Sequence, residues 1–272
     1  RHALGNRPAS RRPRPVLVWV SRVPPDELQD VPRRVRRAHA RSRGLLIARE
    51  LETDRRLRAA TAAELARLLP GLRESPSARA DGAARALGAA YASEVVRARN
   101  DARGERLRAV QAEAESAGLD PDRIRAAPAA DDEDRASSVA QTFSERWRLL
   151  YLAGVDAGMR PGEAADRAMR FAAERVELVA ATEVAHAFAA ERDGAAAAYA
   201  ADARKNGWPV PDKIWSCVLS SACDDCRPMH ARRAKFGEPF LFADKPFPSP
   251  GAVHPRCRCS VHLVLPGEVG GA

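Results

Sequence analysis

The chain has 272 residues, 45 Lys+Arg against 36 Asp+Glu, a net charge of +9 and an isoelectric point near 9.9. Hydrophobic residues make up 45% but aromatics only 5%, and alanine and arginine dominate; this excludes an aromatic-rich all-β sandwich and favours long helices. Charged residues at 30% with regular apolar spacing exclude wholesale disorder, and no run approaches the ~20 apolar residues of a membrane-spanning helix.

The charge is unevenly placed. Residues 1–60 hold 16 Lys+Arg against 6 Asp+Glu, whereas residues 211–272 hold 8 against 6. Residues 1–25 read as a basic Arg/Pro-rich arm with one short strand at Val16-Leu17-Val18-Trp19-Val20. Such an arm suits phosphate or an acidic partner. Only four Lys occur (Lys205, Lys213, Lys235, Lys245), so arginine is also simply the preferred surface cation of this sequence. Beginning at Arg1, the chain reads as a fragment or a processed product.

Residues 26–139 read as a helical region. Asp26 and Glu27 suit a helix start, Pro32 delays it, and Pro70-Gly71 is expected to stop it. A second helical stretch spans 77–116, with Gly82, Gly88 and Gly104 as points of interruption. Gly118 is expected as its C-terminal cap, and Asp120-Pro121 as the start of a short helix ended by Pro128. The acidic run Asp131-Asp132-Glu133-Asp134 then opens a helix on which Phe143, Trp147, Leu150, Tyr151 and Val155 share one face. Four adjacent acids cannot all face one ion, so the run reads as helix-dipole charge rather than a metal site.

Residues 140–208 form a helical lead-in to the C-terminal region. Gly158 ends one helix and Pro161 starts the next. Met169, Ala173, Val176, Ala180 and Ala187 make a stripe with Glu183 near its centre. A carboxylate there must be paired or hydrogen-bonded. It reads as a structural anchor; a general base is the alternative, with no visible partners beyond Thr182 and His186. Asn206-Gly207-Trp208-Pro209 closes the helix.

Composition changes at 209. Residues 209–265 hold four of the seven Phe, all five Cys and three of the six His. Short apolar runs at 214–219, 240–242 and 260–265 read as strands among irregular loops, and residues 266–272 as a loose tail. The fold class expected is mainly α with a small C-terminal α+β module.

Cys223-Asp224-Asp225-Cys226 is a CxxC knuckle, followed by His254-Pro255-Arg256-Cys257-Arg258-Cys259. A knuckle lets two thiolates reach one ion, and Cys257 and Cys259 share a face if they lie on a strand. Tetrahedral Cys/His ligation is what zinc prefers, and such a staple suits a small domain with little core. The preferred set is Cys223, Cys226, His254 and Cys257, with Cys259 able to replace either member of the second pair. His230 is a weaker candidate, and Cys217 reads as a buried core thiol. A metal-free thiol cluster and a redox CxxC are the alternatives; the Asp pair would raise rather than lower the thiol pKa.

These residues carry a resemblance. Trp215, Cys223-x-x-Cys226-Arg227-Pro228-Met229-His230, Phe236-Gly237-Glu238-Pro239-Phe240 and Pro250-Gly251-Ala252-Val253-His254-Pro255-Arg256-Cys257-Arg258-Cys259 resemble the C-terminal module of phage head morphogenesis proteins, the phage Mu F-like minor head proteins. The preceding helix with Ala181-Thr182-Glu183, and Trp208 past its end, is similar to that family's helical lead-in, so the likeness spans roughly residues 140–265. Ala231 stands where the family often has glycine, and Cys217 is an additional cysteine. The resemblance implies a minor capsid protein of a tailed phage or prophage. It would be located in the virion at the head interior or portal vertex, and in the host cytoplasm during assembly. It also implies the portal protein and capsid or scaffold proteins as partners, a part in DNA packaging or delivery, and no catalysis. The basic segment would then meet packaged DNA or an acidic partner. Alternatives are a zinc-containing nucleic-acid binder and an effector enzyme such as an ADP-ribosyltransferase, for which Glu113-Ala114-Glu115 supplies an ExE but no preceding Ser-rich strand. No HExxH, GxSxG or phosphate-binding glycine loop occurs.

Overall fold

The computed structural model describes residues 33–127, 132–217, 222–247, 250, 253, 257 and 259–264, without the side chains of 173–175 and 177. The arm over 1–25, the strand at 16–20, Asp26, Glu27, Pro128, Asp131, His254 and the tail over 266–272 lie outside the described residues. The protein is mainly α with a small C-terminal strand module, as the composition implies.

Four long helices lead: α1 (Arg33–Glu74), α2 (Pro76–Ser116), α3 (Asp132–Asp156) and α4 (Pro161–Asn206). At 1.5 Å per residue, α1, α2 and α4 each run roughly 60–70 Å. α1 and α2 form an antiparallel hairpin, and both α2 and α4 pack against every other helix of the bundle. Their shared core contains Leu57, Leu87, Tyr91, Phe143, Trp147 and Tyr151, with Ala164, Ala168 and Ala172 of α4. The α3 stripe read from its spacing supplies three of these. Tyr91 stacks on Phe143 with ring centres 4.5 Å apart, and Trp147 on Tyr151 at 5.1 Å. The small residues of α4 let backbones approach closely: a Cβ on Gly154 would lie 2.9 Å from that of Ala164. No helix among the described residues is long and apolar enough to cross a membrane.

Two expected breaks do not occur. α1 runs through Pro70 to Glu74. Proline forfeits one helical hydrogen bond, but Leu65 and Leu72 on either side are buried, and that packing holds the last turn. Reversal falls instead at Ser75, where Pro76 drives the preceding residue out of the helical region (φ −143°). α2 is continuous through Gly82, Gly88 and Gly104. At Gly88 a Cβ would stand 3.1 Å from the Ser144 Cβ of α3.

The caps expected at Gly118, Asp120 and Gly207 hold, although the short helix is a single turn that ends at Arg123. Gly118 lies at φ +70°, and the Leu119 N–H reaches back to the Ala114 carbonyl at 2.9 Å. Asp120 caps a 3-10 turn over Pro121–Arg123 by accepting the Asp122 N–H at 3.1 Å. Gly207 at φ +70° ends α4, and the Trp208 N–H bonds the Ala203 carbonyl at 3.0 Å.

Among the described residues the module has five strands: β1 (Asp212–Ser216), β2 (Arg233–Lys235), β3 (Phe240–Phe242), β4 (Lys245–Phe247) and β5 (Ser260–Val264). An antiparallel sheet has the order β2-β1-β5. β3 and β4 form a separate hairpin whose two linking residues, Ala243 and Asp244, both have positive φ, as a type I′ turn requires. Its own core is small: Trp215, Met229, Phe240 and Val261 around Cys217, Cys226 and Cys257.

β5 is an edge strand, and edges must be covered. The helical body covers it with side chains. Arg106 Nη2 donates to the Val261 carbonyl at 2.9 Å and Arg34 Nη2 to the Leu263 carbonyl at 3.1 Å. The Leu263 N–H donates to Glu113 Oε2 at 3.3 Å. Phe236 and Leu263 pack on Tyr199, Val110 and Ala196. The module is thereby seated on α1, α2 and α4.

Candidate metal centre

The knuckle is a tight turn running into a 3-10 turn at Arg227–Met229. The Cys226 N–H donates to Cys223 Sγ at 3.3 Å, and the Met229 N–H to the Cys226 carbonyl at 3.0 Å. Cys257 and Cys259 arrive from the other side, just before β5. The Sγ atoms of Cys226, Cys257 and Cys259 all lie within 4.8 Å of one another, with Cys226 and Cys257 buried. This cluster could hold a metal ion. Two sulfurs bound tetrahedrally at ~2.3 Å stand roughly 3.8 Å apart, and Cys226 and Cys257 are 3.8 Å apart.

Three of the candidate ligands read from the sequence meet in this cluster. Cys226 and Cys257 come together as expected, and Cys259, the alternate, joins them. Cys223 borders this group, with its sulfur accepting the Cys226 N–H and acting on the Cys226 thiol. His254 lies outside the described residues. Cys217 is buried as expected, yet it is not merely a small hydrophobe. Its sulfur receives the Trp215 Nε1–H at 3.1 Å, meets Cys259 Sγ at 3.0 Å and donates to the Cys226 carbonyl at 3.2 Å. His230 follows the 3-10 turn, and its Nδ1 accepts the Cys217 N–H at 3.1 Å.

The electrostatics fit a site that wants a cation. Contact with Cys257 pushes the Cys226 thiol up, and burial adds to this. Contacts with Cys217, Cys226 and Cys257 push Cys259 up as well. The hydrogen bond from Cys259 lowers Cys217 to about 6 against the opposing effect of burial, with His230 and Trp215 helping. Thiols packed this closely cannot all ionise beside one another without a compensating positive charge.

The other singled-out acids are structural. Glu183 is buried and paired, with its Oε2 2.6 Å from Arg99 Nη1 and 2.8 Å from Arg135 Nε. Asp132, in the first turn of α3, accepts from Arg99 Nε at 2.7 Å and from Arg103 Nη2 at 3.2 Å. Glu113 is buried while Glu115 is exposed, since residues two apart on a helix point to nearly opposite sides. The ExE therefore does not present two carboxylates to one site. Part of the basic excess of residues 1–60 is neutralised within the fold: Arg49 pairs with Asp101 and Glu105, and Arg56 with Asp101.

Sequence reading missed a buried polar chain at the docking strand. His39 of α1, Ser260 and His262 of β5, and Glu113 of α2 are joined by hydrogen bonds of 2.7, 2.6 and 3.0 Å. The one sequence signal was the i, i+2 spacing of Ser260 and His262, which places them on one strand face.

This chain makes folding sensitive to acid. Burial, then the nearby His262, Arg43 and His230, hold the His39 imidazole at about 3. An unfolded His39 takes up a proton below its usual 6.5 that the folded one refuses until about pH 3, so stability falls as pH drops through that window. Burial opposes ionisation of Glu113, but His262, Arg106 and the Leu263 N–H outweigh it and hold the carboxyl at about 2. Its contribution is full above about 4.5 and is lost toward about 2, in the same sense. Urea midpoints measured from pH 7 to pH 4 should fall, and His39→Gln should flatten that slope.

The fold and site define a helical protein with a thiol-clustered C-terminal module. No family model, curated protein or solved structure matches the chain.

Proposed function

We propose that this chain is a minor head protein of a tailed phage or prophage, of the head morphogenesis kind, acting by assembly with the portal. The observation that carries this reading is the meeting of Cys226 with Cys257 and Cys259, since these sulfurs come from the two separated motifs on which the resemblance rests. Ala231 adds support. It lies at φ +61°, in the left-handed region, at the position where the family often has glycine. Because a non-glycine residue costs roughly 1–2 kcal/mol there, Ala231→Gly should raise stability by about 1 kcal/mol in chemical denaturation.

In this reading the module is stapled by one structural zinc. Cys226, Cys257 and Cys259 are three ligands, and Cys223 of the knuckle is the fourth. The ion supplies a cross-link between the two motifs, which a module with so small a core of its own lacks. Seated on the bundle through β5, the stapled module presents a rigid surface to a partner. Packaged DNA or an acidic partner would meet the basic N-terminal segment, and capsid or scaffold proteins would join during assembly.

Co-expression with the portal protein of the same genome tests the reading. The chain should co-purify with the portal, and a version lacking residues 1–60 should lose any DNA shift. Absence of portal binding together with DNA binding that survives loss of residues 1–60 would favour a nucleic-acid-binding protein instead.

A further inference from the structure

The chain of groups at β5 has the arrangement of an acyl-transfer site. Ser260 Oγ is 2.6 Å from His262 Nε2, and His262 Nδ1 is 3.0 Å from Glu113 Oε1. The hydrogen-bond inventory places one proton, and a neutral His262 orients the rest. A carboxylate only accepts, so His262 carries its hydrogen on Nδ1, toward Glu113. Nε2 then offers its lone pair to Ser260, whose hydroxyl donates. The Ser260 oxygen in turn accepts the Nδ1–H of His39 at 2.7 Å. A nucleophile, a base facing it and a carboxylate that orients the base are thus in hydrogen-bond register.

Access and surroundings agree with this. His262, Glu113 and His39 are buried, whereas Ser260 is only half-buried. Ser260 borders a cavity of about 30 Å³ whose walls include Arg43, Arg106 and Arg192. Guanidinium groups around a serine favour an oxygen on which negative charge develops. That volume holds about one water molecule, so an ester must approach Ser260 from its half-exposed side.

We propose that Ser260 is an activated nucleophile toward small acyl esters, with His262 as its general base and Glu113 as the group that orients His262. Ser260 Oγ forms a bond to the acyl carbon as its proton passes to His262 Nε2. The carbon–oxygen bond to the leaving alcohol breaks, and that alcohol takes the proton from His262. Water repeats the sequence on the acyl-serine and releases the carboxylic acid. This activity goes beyond a role in head assembly and stands or falls separately from it.

The test treats the intact, folded chain with diisopropyl fluorophosphate and maps the adduct by mass spectrometry. Ser260 Oγ gains a bond to phosphorus, fluoride leaves, and His262 accepts the proton. One adduct is expected, on Ser260, forming at least ~100-fold faster than on heat-denatured protein, in line with the contribution of a positioned base. Ser260→Ala should give no adduct, and His262→Gln, checked for folding by circular dichroism, should slow labelling by a similar factor. Folded wild-type protein that stays unmodified at Ser260, or labels there no faster than denatured protein, overturns the proposal and leaves the chain of groups as a docking contact only.

Discussion

If the thiol cluster holds a metal as proposed, a Cys226→Ser/Cys257→Ser double variant should lose it together with the ordered strands β1, β2 and β5, while the helical bundle persists. Among the described residues, the fully buried apolar side chains around the module's cysteines are Trp215, Met229, Phe240 and Val261. An ordinary buried substitution would cost ~2–5 kcal/mol. Structural zinc in small modules contributes on the order of 10–16 kcal/mol at neutral pH, and that binding energy is folding energy. Removing two ligands should therefore act as an all-or-none loss for the module. The bundle core around Leu57, Leu87, Tyr91, Trp147 and Tyr151 draws on no module residue and should survive. Hydrogen exchange should show fast exchange over β1 and β5 with protection retained in α2 and α4. A Cys217→Ser variant serves as the comparison: it should keep the metal, because the Cys217 sulfur is already engaged by the Trp215 Nε1–H and the Cys226 carbonyl.

The second large effect is expected in the bundle. Glu183→Ala should destabilise the protein by about 3–5 kcal/mol, the range for breaking a buried pair and leaving its charge uncompensated. Glu183 joins α4 to Arg99 of α2 and Arg135 of α3, and Arg99 is itself almost fully buried. Arg99 would retain Asp132, and Arg135 reaches solvent, so the loss should fall toward the lower end of that range. Glu183→Gln, which keeps an acceptor, should cost less. Urea denaturation with and without chelator separates this from the metal: the Glu183→Ala loss should be the same in both. High salt should not rescue it, because buried pairs are poorly screened.

The need for a partner at Glu183 was legible because helical periodicity is a local property. The same holds for the Phe143, Trp147 and Tyr151 face and for the caps at Gly118 and Gly207. Pro70 misled because a local signal was overridden by burial of Leu65 and Leu72, which depends on helices distant in sequence. In the module, residue types and spacing pointed to a thiol cluster, and the structure brings Cys226 and Cys257 together. Which further sulfur joins them depends on how β5 enters the sheet, and spacing alone does not contain that. The link from Glu113 to His262 spans 149 residues, and that from His39 to Ser260 spans 221. Such pairings arise only when β5 docks on α1 and α2, so no window along the sequence could display them.

The charge changes meaning in the same way. Residues 1–60 carry the basic excess of the sequence, but Arg49 and Arg56 spend theirs on Asp101 and Glu105 of α2. What remains for an external acidic partner is smaller than the composition suggests.

A single metal ion joining the two cysteine motifs would protect their sulfurs and appear in the purified protein. This is tested most directly by elemental analysis of the purified chain, prepared under reducing conditions without added metal, beside a thiol count in the native state. About one zinc per chain is expected, with Cys226, Cys257 and Cys259 resisting alkylation until a chelator removes the ion. A metal-free protein whose β5 remains protected from hydrogen exchange, and whose Cys257 and Cys259 alkylate without chelator, would contradict it.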